Sequence, residues 1–167
     1  MSSEADMKAF AFHHRVSQFL FHEARLLDEQ RWSEWEQLFT EEGTYWAPAT
    51  PGQPDPINHV SLIYENALLR KVRLARFGNP NAYSLQPFPR SSHMLSNVMI
   101  DAHDEKAGTV LVTSRFLMVE YRRDVNNFFA GEYVHDLIEE GGAFKIRQKK
   151  ASLVDCDGTH PSSNIYF

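Results

Sequence analysis

The side chains here best suited to chemistry are eight histidines and a single cysteine among 167 residues. Cys156 stands alone, so no intrachain disulfide is possible and a cage of several thiolates is excluded. Asp155 and Asp157 flank it, and their charges raise a thiol pKa, which makes Cys156 a poor nucleophile. His103 sits with Asp101, Asp104 and Glu105 in the densest cluster of potential metal ligands, but at a predicted turn, where it reads as a solvated hairpin tip. His13 and His14 are adjacent on a helical stretch, so at most one faces the core. His135 shares a strand face with Phe129, Gly131, Tyr133 and Leu137 and reads as a core or interface histidine, while His160 falls in a loop. His22, His59 and His93 add no recognisable ligand pair. The chain has no nucleophile elbow, phosphate-cradling loop or dinucleotide fingerprint; Gly131, Gly141 and Gly142 lie among strands and turns.

The elements that must position these groups follow from periodicity. Ala9, Phe12, Val16, Phe19, Leu20, Ala24 and Leu27 recur at three and four, with Glu23 the exception in the stripe, and predict a long amphipathic helix from about Asp6 to Leu27. Trp32, Trp35, Leu38 and Phe39 predict a short second helix, with Ser33 and Glu36 as a possible capping box and Gly43 as its end. Thr44 to Pro48 reads as a short strand, followed by a proline-rich loop. Val60, Ile63, Tyr64, Ala67, Leu68 and Leu74 then predict a third helix, capped by Asp55 or Asn58. From Ser91 the period becomes two. Strands are expected over His93–Ile100, Thr109–Arg122, Phe128–Ile138 and Phe144–Val154, joined by short hairpin turns.

Helices first and an antiparallel meander second define an α+β domain spanning 1–167, with about three N-terminal helices on a strongly curved, mainly antiparallel sheet. Long strands twist, which favours a cone with a concave pocket. The formal charge is −5 and the basic residues are scattered, so no nucleic-acid footprint appears. No apolar run spans a bilayer and no signal-like start is present, so a cytoplasmic protein without membrane contact is expected.

Ordered motifs carry a resemblance over nearly the whole chain. Phe19 to Glu29, Trp35, Leu38-Phe39, Gly43 and Tyr45-Trp46-Ala47-Pro48 open it; Ser61 to Glu65, Arg73-Leu74, Arg90, His93 and Ser96-Asn97-Val98 continue it. Phe129-Ala130-Gly131, Lys145 to Leu153 and Asn164 to Phe167 close it. The set resembles the small (beta) subunits of bacterial aromatic-ring-hydroxylating dioxygenases, and the proline-rich loop with Tyr64-Glu65 suggests their benzoate-type branch.

That resemblance implies a nuclear-transport-factor-like (cystatin-like) cone, a trimer of small subunits, and an α3β3 hexamer with a large oxygenase subunit. The large subunit would carry the Rieske [2Fe–2S] centre and the mononuclear Fe(II) and receive electrons from a reductase, with or without a ferredoxin. A Rieske centre needs two cysteines, so this chain cannot hold one, and no cofactor is expected in it. The small dehydratases and isomerases of this fold offer a rival: Asp28, Tyr45 and His93 fall at plausible counterparts of their acid–base residues. The bland reading has Asp28 capping the second helix and Tyr45 and His93 hydrogen-bonded in a filled core. Trp46, Arg115, Ile165, Tyr166 and Phe167 are the expected interface residues, the tail anchoring assembly more than folding.

Overall fold

The structure, a computed structural model, describes residues 2–160 and 165–167. Helix α1 runs Ser2–Asp28, α2 Trp32–Glu36 and α3 Ala67–Phe77, with a 3-10 turn at Tyr83–Leu85. Strands β1 (Phe39–Pro48), β2 (Ser61–Glu65), β3 (Arg90–Asp104), β4 (Thr109–Arg122), β5 (Val125–Glu140) and β6 (Ala143–Leu153) form one sheet ordered β2-β1-β6-β5-β4-β3. All neighbours run antiparallel except β1 and β6, which are parallel. The α+β cone expected from the change of period is the observed architecture.

The four long strands form because their side chains alternate. Along β4, Val110, Val112, Phe116 and Met118 are buried while their neighbours face out. The turns supply what tight hairpins require. Gly141 and Gly142 join β5 to β6 with φ of 59° and 81°, the left-handed pair that a two-residue turn needs. Arg123 and Asp124 do the same between β4 and β5, where Asp124 also accepts the Tyr121 hydroxyl at 2.8 Å.

Several local expectations are corrected. Residues 61–65 are strand β2, antiparallel to β1, and α3 begins only after Asn66. Asn66 is the cap: its Oδ1 accepts the Leu69 N–H at 3.1 Å, worth about 1 kcal/mol. Asp55 instead accepts the N–H groups of Ile57 and Asn58, closing its own turn. The second helix is a single turn starting at Trp32, with Arg31 at its N-cap and no side-chain cap, so neither the Ser33 box nor an Asp28 cap exists. Gly43 lies inside β1, because a Cβ there would meet the Ile146 carbonyl oxygen at 2.6 Å across the parallel pair.

Candidate functional site

The cone interior, where a pocket was expected, holds a buried ion pair among aromatic side chains. Glu23 enters from the sheet-facing side of α1, at the position that interrupts its apolar stripe between Leu20 and Leu27. Its carboxylate accepts the Trp35 Nε1–H at 2.7 Å and the Lys149 ammonium at 2.8 and 3.1 Å. His135 Nε2 stands 3.5 Å from Glu23 Oε2. Glu23, His135 and Lys149 are all buried.

Lys149 reaches this site through a break in alternation. Asp136 pairs with Gln148 and Leu137 with Ile146, leaving Arg147 as an extra, bulged residue on β6. The bulge shifts the strand's phase, so Ile146 and Lys149 both face inward although three residues apart. Without it Lys149 would share the outer face with Lys145 and Arg147.

Burial alone would raise the Glu23 carboxyl, but the Lys149 charge, His135 and the hydrogen bonds outweigh it and hold the carboxyl well below the usual carboxylate range. Burial pushes the Lys149 ammonium down against the opposing pull of Glu23. Burial likewise pushes His135 down, so its ring is neutral near pH 7. Lys149 also donates to the Phe167 backbone oxygen at 3.2 Å and lies over the Tyr133 ring at 4.2 Å.

Aromatic rings pack around the pair. Trp35 packs on Phe39, Tyr45 and Tyr166, with centroids 4.9, 6.2 and 4.6 Å away. The Tyr45 hydroxyl donates to the Phe167 backbone oxygen and accepts the Phe167 N–H, each at 3.1 Å. Burial pushes the Tyr45 phenol well up, and Glu23 adds to it, so it stays protonated. The Tyr166 hydroxyl donates to Glu65 Oε2 at 2.6 Å, and Arg73 Nε holds the other Glu65 oxygen at 2.6 Å. Buried Arg70 ties α3 to α2 through Glu36 at 2.9 Å and stacks on Phe39 at 4.0 Å.

The predicted trio therefore splits. Asp28, the last residue of α1, accepts from His93 Nδ1 at 2.6 Å, from the His93 N–H at 2.9 Å and from the Ser91 hydroxyl at 2.9 Å. Burial would raise its carboxyl, but the His93 contacts together lower it. With Nδ1 donating to this carboxylate, His93 Nε2 is left as the ring's other nitrogen, buried and without a hydrogen-bond partner. The pair borders a cleft of about 430 Å³ with Phe21, Ala24, Arg25, Glu29 and Leu95. Such a pair can accept a proton at Nε2, but Tyr45 is not part of this cleft; its hydroxyl is committed to Phe167.

The other singled-out residues have plain places. His103 is not at the hairpin tip but within β3, opposite Val110; it is exposed, and its ring stacks on Phe12 of α1 at 4.1 Å. His13 Nε2 lies 2.8 Å from the Val98 carbonyl oxygen, joining α1 to β3. Cys156 is buried, and burial with Asp157 pushes its thiol up. Among the described residues no group of three or more His, Cys, Asp or Glu is placed to hold a metal.

The expected interface residues have these places within the subunit. Trp46 is buried in its own subunit, donating to Ser61 Oγ at 3.0 Å to fasten β1 to β2. Ile165, Tyr166 and Phe167 are buried in the core, where the Tyr166 hydroxyl bonds Glu65 and the Phe167 backbone bonds Tyr45 and Lys149. Asn164, the first residue of the expected anchoring tail, lies outside the described residues. Arg115 alone stays exposed, paired with Glu132 at 3.2 Å. The periodicity gave no sign of Lys149, Arg70 or Glu65; Glu23, a carboxylate inside an apolar stripe, was the one visible signal that a buried cation must exist.

Comparison with known proteins agrees with the motifs. The family described as "Ring hydroxylating beta subunit" matches residues 22–157. The small oxygenase component of the p-cumate 2,3-dioxygenase system of Pseudomonas putida is 27% identical over 165 residues, covering 98% of this chain and 90% of that protein. The 2-halobenzoate 1,2-dioxygenase small subunit of Burkholderia cepacia is 30% identical over 158 residues, covering 90% and 93%. The solved beta subunit of the benzoate 1,2-dioxygenase from Burkholderia mallei superposes with a TM-score of 0.69 at 27% identity, covering 83% of this chain and 87% of that one.

Proposed function

Since the chain belongs to the ring-hydroxylating beta-subunit family, we propose that it is the assembly subunit of a multicomponent dioxygenase that adds O2 to an aromatic ring as a cis-dihydrodiol. The chemistry belongs to a larger partner, which carries a Rieske [2Fe–2S] centre and a mononuclear Fe(II) and is reduced by a reductase, directly or through a ferredoxin. Three copies of this chain associate with three large subunits in the cytoplasm. The substrate class is an aromatic carboxylate, which the names of the three relatives above share.

One observation carries this reading: Glu23, Lys149, Tyr45, Tyr166 and Phe167 are buried in the cone and engage one another or neighbouring core groups through hydrogen bonds. Co-expression of the tagged chain with its large partner tests it: iron, acid-labile sulfide and mass are measured on the recovered complex. Equal recovery of an iron–sulfur partner supports the proposal; a solitary chain with no partner refutes it.

A second reading rests on the Asp28–His93 pair and its free Nε2: a stand-alone dehydratase or isomerase using proton transfer. The engaged Tyr45 weighs against it. Unchanged oxygenase turnover of the assembled His93→Ala complex, with no proton-transfer activity in the wild-type chain alone, removes it.

A further inference from the structure

Among the described residues, a few buried side-chain polar atoms have no hydrogen-bond partner: His93 Nε2, Ser114 Oγ, the Tyr133 hydroxyl, both ring nitrogens of His135, and His160 Nε2. A native interior rarely leaves such groups unpaired, and where it does they serve strain, chemistry or a bound molecule. His135 and His160 each keep a carboxylate close by, Glu23 at 3.5 Å and Asp155 at 3.6 Å. Ser114 lies directly across from Tyr133 on the neighbouring strand. His93 and Tyr133 differ from the rest, because both come under the influence of Asp28 beside an open cleft.

The register explains how two residues from different strands converge. The Tyr133 ring stacks on Phe116 at 4.0 Å, 7° from parallel, and Phe116 is the cross-strand partner of Leu95 on β3. Tyr133 therefore reaches from its own row toward the row of Leu95, next to which stand His93 and its partner Met118. Burial, then Tyr45, Glu23 and Asp28, push the Tyr133 phenol well up, so it keeps its proton and can donate. With Nδ1–H given to Asp28 at 2.6 Å, the neutral His93 ring offers Nε2 as an acceptor. His93 and Leu95 also form one wall of the cleft of about 430 Å³, and Phe21 and Ala24 of α1 form the other. That volume suits a small ligand. The charges around it are spent: Asp28 on His93, and Arg25 on Glu29 at 3.3 Å.

We propose that this cleft binds a small neutral hydroxyaromatic compound, a phenol, whose hydroxyl donates to His93 Nε2 and accepts from the Tyr133 hydroxyl. One phenolic oxygen can do both at once. A ketone, an ether or a carboxylate brings no proton for Nε2, and a carboxylate also finds no free cation in the cleft. The ring lies against Phe21, Ala24 and Leu95, where Phe21 supplies an aromatic face. The His93 side chain has no exposed surface, so the walls at Phe21 and Leu95 part as the hydroxyl seats. The inference rests on neither reading of function above, since binding needs no turnover and no partner subunit.

Titration of the purified full chain with phenol, followed by calorimetry and by the ¹⁵N resonances of the histidine rings, tests the site. Phenol should bind saturably and move the His93 Nε2 resonance. Toluene, which lacks the hydroxyl, and benzoate, which carries a charge, should each bind about tenfold more weakly or worse, the worth of a lost hydrogen bond. Tyr133→Phe is the cleanest variant, because the hydroxyl it removes has no partner in the folded chain. Its melting should stay at or above wild type while its affinity for phenol falls about three- to tenfold. Phenol that does not saturate, equal affinity for phenol and toluene, or saturation that leaves His93 Nε2 unmoved overturns the proposal. So does a Tyr133→Phe chain that binds phenol as wild type does, or one that melts clearly below it, which would mean that the hydroxyl is already paired within the protein.

Discussion

Replacing Glu23 by Gln removes one charge from a site that holds it in a dry interior. The amide keeps a carbonyl for Trp35 Nε1, now 2.7 Å from the carboxylate, but Lys149 loses both oxygen contacts as an ion pair. Its ammonium then has no anionic partner, keeping only a neutral carbonyl oxygen at the Oε1 position, the Phe167 oxygen at 3.2 Å and the rings of Tyr133 and Tyr45 at 4.2 and 5.8 Å. Breaking a buried pair from one side costs about 3–5 kcal/mol, because the other charge stays buried without compensation. For a domain of this size that corresponds to a fall in Tm of roughly 6–20 °C. Lys149→Met should cost a similar amount by orphaning the carboxylate. The double variant Glu23→Gln with Lys149→Met should return to within about 2 kcal/mol of wild type, since replacing both members of such a pair is often close to neutral.

The pH dependence gives a second readout. Burial already depresses the Lys149 ammonium below its ordinary 10.5, and losing Glu23 removes the main force opposing that shift. Between the depressed folded value and 10.5 the unfolded chain binds more protons, so the stability of Glu23→Gln should rise with pH up to about 10.5. Chemical unfolding at fixed protein concentration, from pH 7 to 10, measures both effects. A Glu23→Gln loss under about 1 kcal/mol, or a double variant as weak as the sum of the singles, would refute the coupling.

Three further outcomes follow from the same packing. Tyr166→Ala should lower subunit stability by about 3–5 kcal/mol in thermal melts, because the ring and its Glu65 hydrogen bond belong to the core; a change confined to partner binding would restore the tail to the interface. Gly131→Ala should cost about 3 kcal/mol or more, since a Cβ would lie 2.0 Å from the Ser152 carbonyl oxygen; soluble, wild-type-like melting would contradict that register. Asp28→Asn should cost about 1–2 kcal/mol near neutral pH. The Asp28 carboxyl is lowered from 3.8 in the folded chain, so its stabilisation is present above that value and lost as pH falls through the folded one. The variant's stability curve should therefore be flatter in acid, and an unchanged acid limb in a titration of melting midpoints would count against the pair.

Much of this molecule was legible before any coordinates. The three-and-four spacing of Val16, Leu20 and Leu27 and the two-residue alternation of β4 and β5 encode local geometry directly, so the α+β class and the long strands follow from side-chain direction alone. The ordered motifs from Phe19 to Leu153 carried the family. Strand β2 was read as helix because Ile63, Tyr64 and Ala67 continue a helical spacing, and only pairing with β1 makes five residues a strand. Interior chemistry was decided by tertiary structure. One bulge at Arg147 turns Lys149 from an outward cation into the partner of Glu23, and the same strand sequence without it would read the other way. The fate of Tyr45 was equally non-local: its hydroxyl meets the backbone of Phe167, 122 residues away, in a contact that only the closed cone creates. Sequence alone determined which elements form, because propensity and periodicity act over a few residues; the structure decided which polar groups are buried together, because that depends on register and closure across the whole sheet.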